Sequence, residues 1–398
     1  MDERVAKQKV VEAGIRLVES GLIARTWGNV SCRISDSHFV ISPSGRDYLS
    51  LTPEEIVTVA IADLSYDGNI KPSSEKGVHA EIYKHSLDTH FIMHTHQENA
   101  SVISAAGLDS MHVNTSWPLL GNEVIIASYG LPGTKKLRKG ILNALMRSRG
   151  HAIIMKNHGA VCFGKDETQT FQIASDLEAA CIQFIAEKYQ QIKGVQSFDA
   201  EKMRQYVLSV IERTGKDGSD DSSGLYCNSE RTADGFALHT KDGKTVYAVL
   251  GHLDGNLPAE AGIHDEIYCR YKNINCILHS DAPDVTAVSR ANVTLYPFVD
   301  DFAQIVGTKV KTVPMVPDKI ADALKHASAV IVGKNGALCC GVSQGDASAV
   351  QMIMEKNCKA LICGTLFGAV KPLGKLDCSL MRFVYLQKYS KQISKNKK

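Results

Sequence analysis

Three histidines and a glutamate, drawn from two well-separated stretches, are the residues of this chain whose types and spacing could do chemistry. Lys71 to Gln97 reads KPSSEKGVHAEIYKHSLDTHFIMHTHQ: a Ser73-Ser74-Glu75 turn, an amphipathic helix, and an apolar run, Phe91-Ile92-Met93, that delivers His94 and His96. Side chains two apart on a strand share a face, so both imidazoles could hold one cation. Far downstream, Ala152 to Gly164 reads AIIMKNHGAVCFG, two apolar runs joined by a turn that carries Asn157 and His158. If that turn sits beside the end of the first strand, three neutral imidazoles complete a cation site with an open position, the arrangement of a catalytic zinc. A His-x-His pair alone is common in proteins that bind no metal. The third His in a Gly-containing turn and the nearby glutamate are what give this set weight.

Short hydrogen-bond donors stand on turns around the same stretch: Gly28-Asn29 in WGNVSCR, Ser42-Pro43-Ser44-Gly45, and Ser73-Ser74. Turns of this kind cradle a phosphate through N–H and O–H groups without a lysine. Taken singly, each is only a turn. Taken in order with Glu75, His79, His94-Thr95-His96 and Asn157-His158-Gly159, they make the first half of the chain resemble the class II aldolase/adducin family.

That resemblance implies a three-layer α/β/α sandwich with a mixed, mostly antiparallel central sheet. It implies one Zn2+ held by His94, His96 and His158, and a substrate phosphate held by Gly28, Asn29, Ser44, Gly45, Ser73 and Ser74. Glu75 matches the glutamate that removes and returns a proton in the family's aldolases. The epimerase branch carries an aspartate there, so Glu75 leans the expectation toward aldol cleavage or a related dehydration. The activity implied is zinc-dependent cleavage of a short-chain ketose phosphate, of the L-fuculose 1-phosphate kind, to dihydroxyacetone phosphate and an aldehyde. A dehydratase, decarboxylase or epimerase of the same family stays open. So does a non-enzymatic adducin-like interaction module, against which the complete His and Glu set speaks. His79, one helical turn past Glu75, reads as ordering the helix, and His112 and Tyr129 are weak candidates for a second acid. Family members form four-fold rings, so a homo-oligomer is expected, with two tandem chains forming a pseudo-four-fold ring.

The elements that must position these groups are legible in outline. Residues 3 to 20 carry apolar side chains at helical spacing and end at Gly21, a helix with a Gly cap. Trp27 to Ile34 and Phe39 to Ile41 read as strands, Thr52-Pro53-Glu54-Glu55 as a helix start, and Val57 to Leu64 with Asp67-Gly68 as a hairpin. Helices are expected over 75–86, 97–106, 134–148 and 168–193, and strands at Phe91 and Val124 to Ala127.

The second half repeats the first. Ala259 to Tyr268, AEAGIHDEIY, lines up with Ser74 to Tyr83, SEKGVHAEIY, and Gly333 to Gly341 echoes Met155 to Gly164. The copy has lost the chemistry: His279-Ser280-Asp281 replaces His94-Thr95-His96, Pro258-Ala259 replaces the serines, and Asn335-Gly336 reads as the Asn-His-Gly turn with the His missing. Glu260 alone survives. Glu201 to Gly215 resembles the opening helix, which divides the chain into a catalytic domain over 1–196 and a degenerate one over 197–398. Gly215 to Gly224 is then a polar loop inside the second domain.

With 398 residues there is enough chain for two such cores. Forty-five basic against 43 acidic residues leave no field to draw nucleic acid or an anionic membrane, and the Lys-rich end reads as a solvated tail. The eleven cysteines lie mostly in apolar runs with no CxxC pair, the usage of a reduced compartment. There is no signal-like apolar stretch at the start and none long enough to span a membrane, so a soluble, cytoplasmic protein is expected.

Overall fold

A computed structural model describes residues 1–23, 27–211 and 227–389, and the backbone divides into two compact units, Met1–Gln196 and Ser197–Lys398. The polar loop at 215–224 and the end of the Lys-rich tail, 390–398, lie outside the described residues.

The first unit opens with α1 (Glu3–Glu19), capped by the Asp2 carboxylate, which accepts from the Val5 amide at 3.1 Å, and stopped where Gly21 takes a φ of 73°. An antiparallel meander follows: β1 (Asn29–Arg33), β2 (His38–Ile41) and β3 (Val57–Ala60). Then come α2 (Lys76–His85), β4 (Phe91–Thr95), α3 (Glu98–Ala105), β5 (Ser110–His112), β6 (Glu123–Ala127), α4 (Lys135–Leu145), β7 (Ala152–Met155), β8 (Gly159–Gly164) and α5 (Glu167–Lys193). The eight strands run β3-β2-β1-β4-β8-β7-β6-β5, with β6 and β7 parallel and every other pair antiparallel.

Strand alternation sorts the layers. Ile92, Ile125, Ile153, Val161 and Phe163 enter one core with Val78, Ile82 and Tyr83 of α2 and Leu137, Ile141 and Ala144 of α4. The helices α1, α3 and α5 pack on the other side. The result is a three-layer α/β/α sandwich around a mixed, mostly antiparallel sheet. Since Ile92 faces α2, His94 two residues on faces the same layer at the strand end where α2 begins.

Two local expectations are corrected. Thr52 and Glu55 do form a capping box, but it closes a single 3₁₀ turn, Pro53–Glu55, because the next residues, Val57-Thr58-Val59, are β-branched in alternation and add to the sheet beside β2. No hairpin follows β3. The chain reverses at Leu64, φ 67°, and the segment beyond it returns through Lys71-Pro72 to form only an isolated bridge with Pro43. The short edge strand β5 has no signal in the sequence pattern, its three residues being too few to show a period.

In the second unit, α6 (Ala200–Ile211) precedes β9 (Cys227–Arg231), β10 (Gly235–Thr240) and β11 (Thr245–Val249). These are followed by α7 (Ala261–Arg270), β12 (Cys276–Ser280), α8 (Pro283–Arg290), β13 (Thr312–Val313), α9 (Pro317–Ala323), β14 (Ala329–Val332), β15 (Ala337–Gly341), α10 (Gln344–Thr365) and α11 (Lys375–Val384). Its strand order, β11-β10-β9-β12-β15-β14-β13, repeats that of the first sheet position by position, and its one parallel pair, β13–β14, matches β6–β7 but includes the edge strand. Only β5 lacks a counterpart among the described residues. The fold is therefore present twice in tandem. No helix among the described residues is long and apolar enough to cross a membrane.

Candidate metal centre

The central strand β4 pairs with β1 on one side and β8 on the other, and the residues that could do chemistry gather where these three strands end. Asn29 of β1 lies opposite His94 in the ladder. Thr95 of β4 lies opposite Ala160, so the turn before β8 sets His158 beside β4. Asn157 in that turn takes a φ of 58°, a left-handed conformation that asparagine tolerates well. Glu75 occupies the position just before α2 and reaches across to the same point.

The His94, His96 and His158 ring nitrogens lie within 4.8 Å of one another. His94 Nε2 is 3.0 Å from His96 Nε2 and 3.1 Å from His158 Nε2, and the His94 and His158 rings stack with centroids 4.9 Å apart. The Glu75 carboxylate closes the group, with Oε2 3.1 Å from His94 Nε2 and Oε1 3.2 Å from His158 Nε2. His94, His158 and Glu75 are buried, while His96 keeps partial access to solvent.

The donor set fits a divalent cation. His94 Nδ1 lies 2.9 Å from the Ala160 carbonyl, which can only accept, so the proton sits on Nδ1 and the Nε2 lone pair faces the other two rings. Burial holds the His94 imidazole well below its usual pKa, against the pull of Glu75, so it is a neutral ligand at physiological pH. Burial alone would raise the Glu75 carboxyl. The imidazoles of His94, His158 and His96 outweigh that and hold it well below the ordinary carboxylate range.

Behind Glu75 runs a buried chain of hydrogen bonds. The Asn29 amide donates to Glu75 Oε2 at 3.1 Å, and its carbonyl oxygen accepts from His79 Nε2. That leaves His79 Nδ1 to accept from the Ser31 hydroxyl at 2.6 Å, and Ser31 in turn lies 2.8 Å from the Tyr83 hydroxyl. Burial pushes the His79 pKa down to about 3, so the relay is neutral and its direction fixed. Ser31 and Tyr83 were not picked out from sequence, although both recur in the repeat beside the second copy of His79.

The expected phosphate residues fall into two neighbouring groups. The Ser44 amide donates to the Lys71 carbonyl at 3.0 Å and the Ser73 amide to the Ser42 carbonyl at 3.1 Å, which joins the Ser42–Gly45 turn to the Ser73–Glu75 turn. Ser44, Gly45, Ser73 and Ser74 thus lie along one edge of the site. Gly28 and Asn29 lie nearer the histidines. Gly28 has a φ of 74°, and a Cβ there would stand 2.4 Å from the His94 carbonyl oxygen, so glycine is what lets the chain entering β1 approach the end of β4 that carries His94. His112 ends β5, exposed, with three strands between it and β4.

The second unit shows the same frame without the centre. Ser229, His264 and Tyr268 repeat the Ser31, His79 and Tyr83 bonds at 2.6 and 2.8 Å, and the Arg231 guanidinium caps carbonyls of Tyr268, Tyr271 and Ile274 as Arg33 caps those of Tyr83, Ser86 and Thr89. Where Asn29 meets Glu75, the Cys227 thiol donates to Glu260 at 3.1 Å. Nothing has been deleted from the turn before β15, contrary to the sequence alignment. Ser280 opposes Ala337 as Thr95 opposes Ala160, and Lys334, φ 65°, takes the left-handed place of Asn157, so Asn335 stands at the position of His158. His279 donates from Nε2 to the Asn335 carbonyl, which puts the proton on the nitrogen that in His94 carries the lone pair. Among the described residues, the three first-unit histidines form the one cluster suited to a metal.

Comparison with known proteins agrees with this division. The class II aldolase and adducin N-terminal domain model matches residues 8–185 and again 222–362. A 5-deoxy-D-ribulose 1-phosphate aldolase of Bacillus thuringiensis serovar kurstaki is 30% identical over 190 residues, covering 48% of this chain and 86% of that one. Among solved structures, an L-fuculose 1-phosphate aldolase matches at 25% identity with a TM-score of 0.43, covering 50% of this chain and 93% of its own. An L-fuculose-1-phosphate aldolase from Thermus thermophilus matches at 23% identity with a TM-score of 0.41, covering 47% and 99%. The chain belongs to the class II aldolase/adducin family and carries that family's domain twice, the second copy degenerate.

Proposed function

We propose that the first unit is a zinc-dependent aldolase that cleaves a short-chain ketose 1-phosphate to dihydroxyacetone phosphate and an aldehyde, and that the second unit is a non-catalytic copy. The observation that carries this reading is the convergence of His94, His96 and His158 on one point with Glu75 beside them. The substrate in the name of the Bacillus relative, 5-deoxy-D-ribulose 1-phosphate, supplies the class. A cation held by the three imidazoles supplies Lewis-acid stabilisation of the charge that builds on the substrate's carbonyl oxygen during cleavage. Neutral ligands leave its charge undiminished for that role.

The chain's own residues do the rest. Glu75, kept ionised and pointed by Asn29, takes the proton of the substrate hydroxyl as the carbon–carbon bond breaks and the aldehyde departs. It then returns that proton to the carbon of the enediolate, completing dihydroxyacetone phosphate. The hydroxyls and amides of Ser44, Gly45, Ser73 and Ser74, with Gly28 and Asn29 beside them, hold the phosphate end. This fixes the reacting carbons relative to Glu75.

The test is product analysis on metal-loaded protein with 5-deoxy-D-ribulose 1-phosphate and L-fuculose 1-phosphate. Dihydroxyacetone phosphate is the expected product. An epimerised, dehydrated or decarboxylated product would transfer the site to another reaction of the family, and absence of both metal and turnover would transfer it to an adducin-like interaction role. The active assembly is a homo-oligomer of tandem chains, and a sedimentation mass of 43.3 kDa, that of one chain, would contradict this.

A further inference from the structure

Charge is balanced over the whole chain but not along it. Eight of the 45 basic residues and one of the 43 acidic ones lie in 371–398, a net +7 that leaves the first 370 residues at net −5. This segment contains α11, and the Lys-rich sequence 388–398 follows it. The helix is apolar on two opposite faces. On one, Cys378 and Met381 are buried where α11 packs against the π-helical turn Phe302–Val306, which α10 also contacts. The Arg382 guanidinium fixes the helix there, donating to the Gln304 and Ile305 carbonyls at 2.8 and 2.6 Å.

The opposite face is exposed. Leu376, Leu380 and Phe383 are 86%, 50% and 61% exposed, and Leu386 just beyond the helix is 46% exposed. Spacings of four and three residues set the first three in one stripe along the helix. The Leu373 amide donates to the Pro297 carbonyl at 2.9 Å, which ties the start of α11 to the segment carrying Tyr296, itself 40% exposed. A helix that is apolar all round belongs between two surfaces, and this one is covered by the protein on one side only. Large apolar side chains in an exposed, contiguous stripe mark a docking surface.

We propose that α11 and the lysines that follow it dock the protein on an anionic membrane surface. Leu376, Leu380, Phe383 and Leu386 enter the boundary between headgroups and acyl chains, and the lysines meet the negative headgroups. Charge and shape select this occupant over the others. Two α11 helices laid face to face would bring together two segments of net +7, which opposes pairing of the stripe with its own copy. A partner that encloses a helix in a groove needs more than the one face that α11 leaves open, whereas a planar surface needs only that face. Neither signal holds the protein alone, because a few apolar side chains bind weakly and the lysines act only within a Debye length of the lipid. Together they give reversible attachment to one leaflet, which needs no spanning helix, and the described residues hold none. The inference is independent of the reaction assigned to the first unit.

The experiment is flotation of the full-length chain with phosphatidylcholine vesicles and with vesicles that also contain phosphatidylserine, in low and in physiological salt. The variants are Leu380→Glu combined with Phe383→Glu, the single Phe383→Leu, and the joint replacement of Lys391, Lys395, Lys397 and Lys398 by Gln. Wild type is expected to float with the phosphatidylserine vesicles only, and less at the higher salt. The apparent dissociation constant should rise about tenfold or more in the Glu and Gln variants and stay near wild type in Phe383→Leu. Leu380 and Phe383 are exposed, so the calorimetric transition of the second unit should be unchanged and serves as the check on folding. No flotation of wild type, or flotation that the Glu and Gln variants leave unchanged, overturns the proposal. Equal flotation with both kinds of vesicle overturns it as well, because the lysines then contribute nothing. A wild type that stays off vesicles but sediments as a larger assembly than the Glu variant would make the stripe an interface between copies of the chain and dispose of the membrane.

Discussion

At the scale of single residues, the one histidine of the cluster that both units keep, His94 in the first and His279 in the second, differs in where its proton sits. His94 gives its Nδ1 proton to the Ala160 carbonyl and keeps a lone pair on Nε2, while His279 gives its Nε2 proton to the Asn335 carbonyl. Only the first tautomer leaves Nε2 free to ligate a metal. His158 and Glu75 then have separable roles, and their variants should separate. His158→Ala removes one of three ligands, and the purified protein is expected to lose its transition metal by elemental mass spectrometry. Glu75→Gln keeps the size and the bond from Asn29 but cannot carry a proton, so metal content should stay at one per chain while cleavage slows by about 10²- to 10⁴-fold. A Glu75→Gln enzyme as fast as wild type, or a His158→Ala protein still holding its metal, would dispose of these assignments.

At the scale of elements, what was legible in the sequence and what was not divide along physical lines. The three histidines and the glutamate could be found because strand alternation pairs His94 with His96 and the order of the family's motifs adds Glu75 and His158. Helices α2 and α5 and strand β4 likewise announce themselves by long apolar patterns. The Asn29–His79–Ser31–Tyr83 relay could not be read directly, since it joins β1 to α2 across 46 to 52 residues and no local period records it. The misread turn before β15 has a similar cause. An alignment by letters puts Asn335 on Asn157, whereas the ladder puts it on His158. The relay also makes a pH prediction. Burial pushes His79 and His264 down to about 3 from an ordinary 6.5, with the neighbouring Glu75 opposing in the first and His279 adding in the second. Above pH 6.5 both folded and unfolded histidines are neutral, so the stability is fully present. As pH falls from 6.5 toward 3, only the unfolded chain takes up the proton, and each histidine removes about 1.4 kcal/mol per pH unit. His264→Gln, far from any metal ligand in sequence and in the unit that has none, should flatten the acid limb of the stability curve by that slope. Equal slopes for wild type and variant between pH 6 and pH 4 would mean that His264 does not titrate on unfolding.

At the scale of the whole chain, two copies of one fold with one candidate metal centre make a system with an internal control. The second unit keeps the strand order, the Ser229–His264–Tyr268 bonds and the Arg231 cap, so its stability derives from the sheet and its helices alone. The first has the same frame plus three imidazoles that gain from a cation only when folded. A ligand that binds the native state alone stabilises it by about 2.7 kcal/mol at a hundredfold excess over its dissociation constant. For a unit of this size, about 1 kcal/mol moves the melting midpoint by about 2–4 °C, so a chelator should lower the first unit's transition by roughly 5–10 °C. The second unit's transition should stay where it was. Differential scanning calorimetry of the full chain with and without chelator resolves this, and His158→Ala identifies the responsive transition because its midpoint should no longer depend on metal. A shift of the other transition would place a cation in the second unit, where His279 and Glu260 offer too few ligands to predict one. If neither transition shifts, the three histidines hold nothing, and the chemistry proposed for the first unit fails with them.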